Sequence, residues 1–219
     1  MQQQLPIQLN CDFLFDNWQQ TETNATIYEL LRSLNFQVVY CYSKKTLGKT
    51  HLLQSVTQYA LKKKLTTVYL DFKTSLDDNI LDNFFEYDLL CLDNIQRLSQ
   101  TQQYSLFELY NKNRAKLVLS SDCQPQQLDY VFKDVKTRLS RANVFELCSY
   151  SDEELKNILK RKAQIKSLNI EDNIYDYLLK WTKRDLGNLL NIMDKAESIC
   201  AIRKLKKVSI NLLKEIITS

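Results

Sequence analysis

Glycine and proline are almost missing from this chain, with two of each among 219 residues. Gly48, Gly187, Pro6 and Pro125 cannot build a Gly/Ser-rich or polyproline linker. The sequence therefore predicts elements joined by short connections, and any two domains should be closely coupled. Histidine is scarcer still: His51 is the single one, which removes the general base that a Ser-His-Asp or Cys-His protease would need in company with other polar partners. The six cysteines, Cys11, Cys41, Cys91, Cys123, Cys148 and Cys200, include no C-x-x-C pair, so neither a disulfide framework nor a zinc site is expected. Cys41, Cys91 and Cys148 fall in predicted strands, where a thiol acts as a small buried hydrophobe. No apolar run approaches the ~20 residues of a membrane span, and the N-terminus lacks a basic segment followed by an apolar one; a cytoplasmic location is expected. The net positive charge is also small. The net +4 lies wholly in the last third, where Ser151 to Ser219 holds fourteen basic against ten acidic residues, while Met1 to Tyr150 balances sixteen with sixteen. That excess is too small to establish nucleic-acid binding.

What the chain does have is a regular alternation of apolar runs and amphipathic segments. Strands are expected at Gln37 to Tyr42, Thr66 to Asp71, Asp88 to Asp93, Lys116 to Ser121 and Val144 to Leu147, with helices over Thr50 to Lys62, Thr101 to Asn113 and Val131 to Ser140. This pattern predicts an α/β domain with a parallel five-stranded sheet. From Asp152 onward apolar residues recur at helical spacing, interrupted by a short strand signal at Val208 to Ile210 and ending in a helix over Asn211 to Ile217. Ser151 followed by Asp152, Glu153 and Glu154 offers a helix cap with acids at the positive end of the dipole. The expected organisation is an N-terminal peptide over 1–9, an α/β domain over 10–150 and a small all-α domain over 151–219.

The segment Ser43-Lys44-Lys45-Thr46-Leu47-Gly48-Lys49-Thr50-His51 sits between the first strand and the first helix of that alternation. It keeps G-K-[ST] at Gly48, Lys49 and Thr50, but Ser43 occupies the position of the first glycine. A loop of this kind turns backbone N–H groups toward a di- or triphosphate, reaches the β/γ-phosphates with its Lys and meets Mg²⁺ with its hydroxyl. A non-glycine first residue disfavours a positive φ and adds a side chain where the chain turns. The run Leu89-Leu90-Cys91-Leu92-Asp93 supplies the second half of such a site, an acid at a strand end that holds the Mg²⁺-bound water. Asn94 follows it, and an amide cannot accept a proton as a water-polarising base. Tight nucleotide binding with weak intrinsic hydrolysis is the expectation.

Several motifs then agree in order and spacing. Gly48-Lys49-Thr50-His51-Leu52-Leu53, Phe15-Asp16-Asn17-Trp18, Ser121-Asp122 and Thr137-Arg138-Leu139 resemble the AAA+ module of the DnaA family of bacterial replication initiators. The Asp93-Asn94 pair, Phe107-Glu108-Leu109-Tyr110-Asn111 and the length resemble the Hda-type regulatory branch of that family. The resemblance spans essentially the whole chain, with Ser43 and Thr137 as departures from the usual residues.

The resemblance implies roles that composition does not give. Phe15, Asp16 and Asn17 would pack near an adenine, or else form a hydrophobic staple. Asp122 would be a first sensor near the γ-phosphate, or a turn cap ahead of Pro125. Arg184 would be a second sensor reaching the phosphates from the lid. Arg138 would be an arginine finger acting on a neighbouring subunit's nucleotide; the local alternative is one cation among Lys133, Lys136 and Arg141 on a solvated helix face. Gln2-Gln3-Gln4-Leu5-Pro6-Ile7 resembles the peptide by which such proteins bind the bacterial β sliding clamp, with Gln2 giving an amide contact, Leu5 and Ile7 the anchors, and Pro6 keeping Leu5 extended. A disordered Gln-rich start is the alternative. The implied cofactors are ADP or ATP with Mg²⁺, and the implied partners are the DnaA initiator and the clamp, with DNA reached through the clamp. Since Ser219 follows the last lid helix, no sequence-reading DNA domain is expected, and the run Arg203 to Lys207 would cap a helix or stay solvated rather than bind phosphates. A homodimer is left open. Beside an activator of a partner's hydrolysis stand two other readings, a non-catalytic adaptor or helicase-loader-like module and an autonomous ATPase.

Overall fold

The structure, a computed structural model, describes residues 9–112 and 114–218. Its contacts divide into two compact units, the first holding the chain up to Lys44 with Gly48–Cys148 and the second holding Lys45–Leu47 with Ser149–Ser219.

In the first unit, β1 (Val38–Tyr42), β2 (Thr67–Asp71), β3 (Leu89–Asp93), β4 (Lys116–Ser121) and β5 (Asn143–Glu146) form one sheet in the order β2-β3-β4-β1-β5. All four pairings are parallel. The helix α1 (Ala25–Ser33) precedes β1, and α2 (Lys49–Lys62), α3 (Gln100–Lys112) and α4 (Lys133–Leu139) follow β1, β3 and β4. All five residues of β3 are buried, as a strand covered on both faces requires, which is why it reads as a continuous apolar run rather than an alternation. Tyr40, Phe84, Leu90, Leu92 and Leu106 are core residues of this unit, each with almost no exposure. The strand register fixes the site described below: Asp71 stands opposite Asp93 and Tyr69 opposite Cys91, while Leu92 stands opposite Leu119.

The second unit contains α5 (Asp152–Ile165), α6 (Asp172–Trp181), α7 (Leu186–Arg203) and α8 (Ile210–Thr218). Ser151 caps α5 in a reciprocal box: its hydroxyl accepts the Glu154 N–H, and the Glu154 carboxylate accepts the Ser151 N–H, satisfying two otherwise orphaned donors. Asp185 caps α7 by accepting the Asn188 N–H at 3.0 Å. Leu159, Leu178, Leu189, Met193, Ala196 and Leu213 form its apolar interior.

Two expectations are overturned. Val208 to Ile210 forms no strand. The Val208 N–H makes one bond to the Asn169 carbonyl at 3.0 Å, and the Ser209 hydroxyl accepts the Leu212 N–H at 3.3 Å, starting α8 at Ile210. A hydroxyl immediately before an apolar helix outweighs two β-branched neighbours. Cys148, placed by the sequence reading among buried strand thiols, lies past the end of β5 and is exposed, whereas Cys41 and Cys91 are buried. β5 is an edge strand with mostly exposed residues, so its apolar pattern does not extend the core to Cys148. Among the described residues no helix is long and apolar enough to cross a membrane.

Candidate functional site

Parallel strands end together, and β1 delivers the chain to Ser43 beside the end of β4: the Ser43 N–H donates to the Ser121 carbonyl at 3.2 Å. Ser43 is buried, and its φ is not among the positive non-glycine values of the described residues. The strain expected from a non-glycine first residue is therefore absent. Gly48 carries the turn, with φ 89°, immediately before α2, a conformation that glycine adopts without penalty. The Lys49 ammonium donates to the Ser43 carbonyl at 2.6 Å and to its hydroxyl oxygen at 2.9 Å. Burial pushes Lys49 below its ordinary value, and the charge of Asp93 opposes that shift.

Asp93 ends β3 with no exposure. Its Oδ2 accepts the Thr50 hydroxyl at 2.6 Å and the Tyr69 phenol at 2.9 Å; its Oδ1 accepts the Ser120 hydroxyl. Thr50 reaches it because α2 starts at Lys49 and so presents the hydroxyl in its first turn. Asn94 takes the left-handed conformation, φ 60°, which Asn tolerates better than most residues. Its N–H donates to the Ser120 hydroxyl oxygen at 3.2 Å and its amide to Asp71 Oδ1 at 2.7 Å. Thr50 and Asp93 offer oxygen donors alone, the chemistry of a hard cation, and Mg²⁺ is commonly held by one or two carboxylates plus substrate phosphates. That fits the surroundings: no group of three or more His, Cys, Asp or Glu able to hold a metal by itself occurs among the described residues.

The face of α2 that carries His51, Gln54, Ser55 and Gln58 binds the segment before Phe15. His51 stacks on Phe13, ring centroids 4.6 Å apart, and its Nε2 lies 2.9 Å from the Leu14 carbonyl. Gln54 accepts the Asn10 N–H at 2.8 Å, and Ser55 and Gln58 donate to the Phe13 carbonyl. Phe15 is buried, edge-on to Tyr28 and Tyr59; Asp16 is exposed, and the Asn17 amide donates to the Asp12 carbonyl at 2.8 Å. The three residues form a short 3-10 turn of their own packed against the helix that bears Lys49 and Thr50, with Phe15 a packing residue against Tyr59.

Asp122 is exposed in the turn after β4, close enough for its charge to raise Lys49 slightly. Arg138 projects from α4, whose Val135 and Leu139 are buried. Its guanidinium carbon lies 4.8 Å from the Phe107 ring centroid and 5.7 Å from that of Tyr110, and the Tyr110 hydroxyl donates to the Arg138 carbonyl at 3.3 Å. In the second unit, Arg184 pairs with Asp152 at 3.3 Å and donates to the Leu179 carbonyl at 3.4 Å. The loop residues Thr46 and Leu47 belong to that unit as well: the Tyr150 hydroxyl donates to the Leu47 carbonyl at 3.2 Å, and a Cβ on Gly187 would come within 3.0 Å of the Thr46 hydroxyl oxygen. Burial pushes the Tyr150 phenol up to about 12. Gln2, Leu5, Pro6 and Ile7 lie outside the described residues.

Sequence reasoning missed Tyr69 and Ser120. Period-2 spacing places Tyr69 on the face of Asp71, but only the strand order brings it and Ser120 to Asp93. Phe107 and Tyr110 were quoted without any link to Arg138.

A phosphate loop after β1, a buried strand-end acid after β3, the order β2-β3-β4-β1-β5 and an appended helical unit define an AAA+ ATPase module. Residues 9–146 match the family model described as the bacterial DnaA ATPase domain, and residues 152–217 match that of the Hda lid domain. The chain belongs to the DnaA ATPase family and, with that lid, is an Hda-like protein of replication initiation. Among solved structures, domain III of the Thermotoga maritima replication initiation protein DnaA superposes with a TM-score of 0.83 at 22% identity, covering 96% of this chain and 98% of that one. AMPPCP-bound DnaA from Aquifex aeolicus gives 0.71 at 23% identity, covering 90% and 68%. A replication initiator DnaA bound to AMPPCP and single-stranded DNA gives 0.73 at 24%, covering 91% and 67%. At these identities the likeness is one of fold.

Proposed function

We propose that this protein is an adenine-nucleotide-holding regulator that docks on the DNA-loaded β sliding clamp and promotes hydrolysis of ATP bound to DnaA, supplying Arg138 in trans. The observation that supports the reading is the convergence of Lys49, Thr50 and Asp93 beside Asn94, a residue unsuited to self-hydrolysis. Lys49, Thr50 and Asp93 have the geometry for phosphates and Mg²⁺, but Asn94 gives its amide to Asp71 and has no basic atom to activate water. ADP is the expected resident nucleotide; its Mg²⁺ would be held by Thr50 and Asp93 and would supply neutralisation of phosphate charge. Lys49 would bind the β-phosphate, Gly48 would let the backbone approach, and Phe15, Asp16 and Asn17 would border the base. Asp122 and Arg184 would report the phosphate state, and Leu5 and Ile7 would anchor the clamp.

Arg138 suits the role of a donor to another molecule's phosphate. It lies half-exposed against the faces of Phe107 and Tyr110, which fix the guanidinium plane while leaving its N–H donors usable. The test is single-turnover hydrolysis of ATP pre-bound to DnaA, with clamp and DNA present. Arg138→Ala should abolish stimulation, and Arg138→Lys nearly so, because arginine fingers are worth ~10³ to 10⁵ in rate and an ammonium lacks the planar fork. ADP binding should be untouched. Stimulation by Arg138→Ala within about threefold of wild type, a small fraction of a finger's worth, refutes the finger, whereas no stimulation by the wild-type protein would identify a passive adaptor.

A further inference from the structure

We propose that Tyr69 and Ser120 form a two-sided hydroxyl clamp that positions the Asp93 carboxylate for a nucleotide-borne divalent cation. The inference rests on the reading of Lys49, Thr50 and Asp93 as a nucleotide site. β3 lies between β2 and β4, and one hydroxyl comes from each neighbour. Asp71 pairs with Asp93 and Tyr69 with Cys91, so Tyr69 shares a face with Asp93 one pair back along the strand, a diagonal that a long aromatic side chain spans. Its phenol donates to Asp93 Oδ2 at 2.9 Å. On the other side, the pairing of Leu92 with Leu119 brings Ser120 beside Asp93, where it donates to Oδ1. The Ser120 oxygen in turn accepts the Asn94 N–H at 3.2 Å, which ties the clamp to the backbone of β3's own end.

The clamp matters because Asp93 Oδ2 has a second donor, Thr50, at 2.6 Å. When the Thr50 hydroxyl gives its proton to Asp93, its lone pairs face away from the carboxylate and are free for a hard cation. A carboxylate held by a single donor turns readily, since its terminal torsion is broad. Donors on both oxygens, from two different strands, fix its plane. A phenol is a hydrogen-bond donor with an ordinary pKa of about 10, so Tyr69 serves as a donor near neutral pH. Groups that orient a metal-binding carboxylate in this way contribute to metal affinity without touching the metal.

Calorimetry of ADP binding, once with Mg²⁺ and once with EDTA, tests this on wild type, Tyr69→Phe, Ser120→Ala and Ser120→Thr. The gain in affinity conferred by Mg²⁺ should fall by about tenfold in Tyr69→Phe and in Ser120→Ala, the low end of such orienting effects. It should recover in Ser120→Thr, and affinity in EDTA should stay within about twofold throughout. An unchanged Mg²⁺ gain in either folded variant, or equal losses with Mg²⁺ and with EDTA, overturns the clamp while leaving the nucleotide site standing. A wild-type protein that binds no ADP in either condition overturns the site reading beneath it. Should Ser120→Ala fail to fold, Tyr69→Phe decides alone, because it removes one oxygen from a ring that stays in place.

Discussion

Replacing Lys49 with Ala removes the one side-chain cation of the Gly48-Lys49-Thr50 turn. Its ammonium is held by the Ser43 carbonyl and hydroxyl at 2.6 and 2.9 Å, so the cation is positioned by the loop itself and little ordering remains to be done when a phosphate arrives. A hydrogen bond to a charged group contributes about 1.5–3 kcal/mol, which predicts an ADP Kd weakened by about ten- to 150-fold. Binding of ligand at a hundred times its Kd adds ~2.7 kcal/mol of stability. A domain of this size gains about 2–4 °C per kcal/mol, so the same ADP concentration should raise the wild-type melting temperature by roughly 5–11 °C and that of Lys49→Ala by only about 1–6 °C. Titration calorimetry and differential scanning fluorimetry read the two quantities. The pH dependence adds an internal check. Lys49 titrates below its unfolded value of 10.5 because burial disfavours the ammonium. Between the folded and unfolded values the unfolded chain binds more protons, so Lys49 makes the ligand-free protein more stable as pH rises through that window, while ADP affinity falls as the ammonium is lost. Wild-type ADP affinity in Lys49→Ala, within about threefold, would refute the reasoning from a charge-assisted bond.

Asn94→Asp places a second carboxylate against Asp71 Oδ1, where the Asn94 amide now donates at 2.7 Å, and should cost about 1–3 kcal/mol of stability by denaturant titration; a variant as stable as wild type would contradict this contact. Replacing both Leu5 and Ile7 with Ala should abolish binding to immobilised clamp by surface plasmon resonance while ADP affinity stays unchanged, since short terminal segments contribute little to a core. Leu159→Ala, at a fully buried position of the second unit, should lower stability by about 2–5 kcal/mol in the same titration; a loss under about 1 kcal/mol would show that this position is loosely packed.

Much of this molecule was legible in one dimension. A strand covered on both faces must be apolar at every position, so Leu89–Asp93 announced itself, and its terminal acid with it. Gly48 was legible because only a residue without Cβ turns at φ 89° without penalty, and Ser151 because a hydroxyl followed three residues later by Glu satisfies two helix-end donors. Other features depend on which strands become neighbours. The order β2-β3-β4 brings Tyr69 and Ser120, distant in sequence, onto the two oxygens of Asp93, and no local pattern encodes that adjacency. Ser43 looked like a defect by comparison with a motif, yet the fold gives it an ordinary φ and uses its oxygens to hold Lys49. The same holds for Arg138, which in sequence is one cation among several on a short helix; only the packing of α4 against α3 sets its guanidinium over Phe107 and Tyr110. Sequence alone determined which residues could carry charge, turn the chain or fill a buried strand, because those are properties of single side chains and their spacing. Tertiary structure decided which of them meet, because strand order and helix packing are settled by the whole core at once.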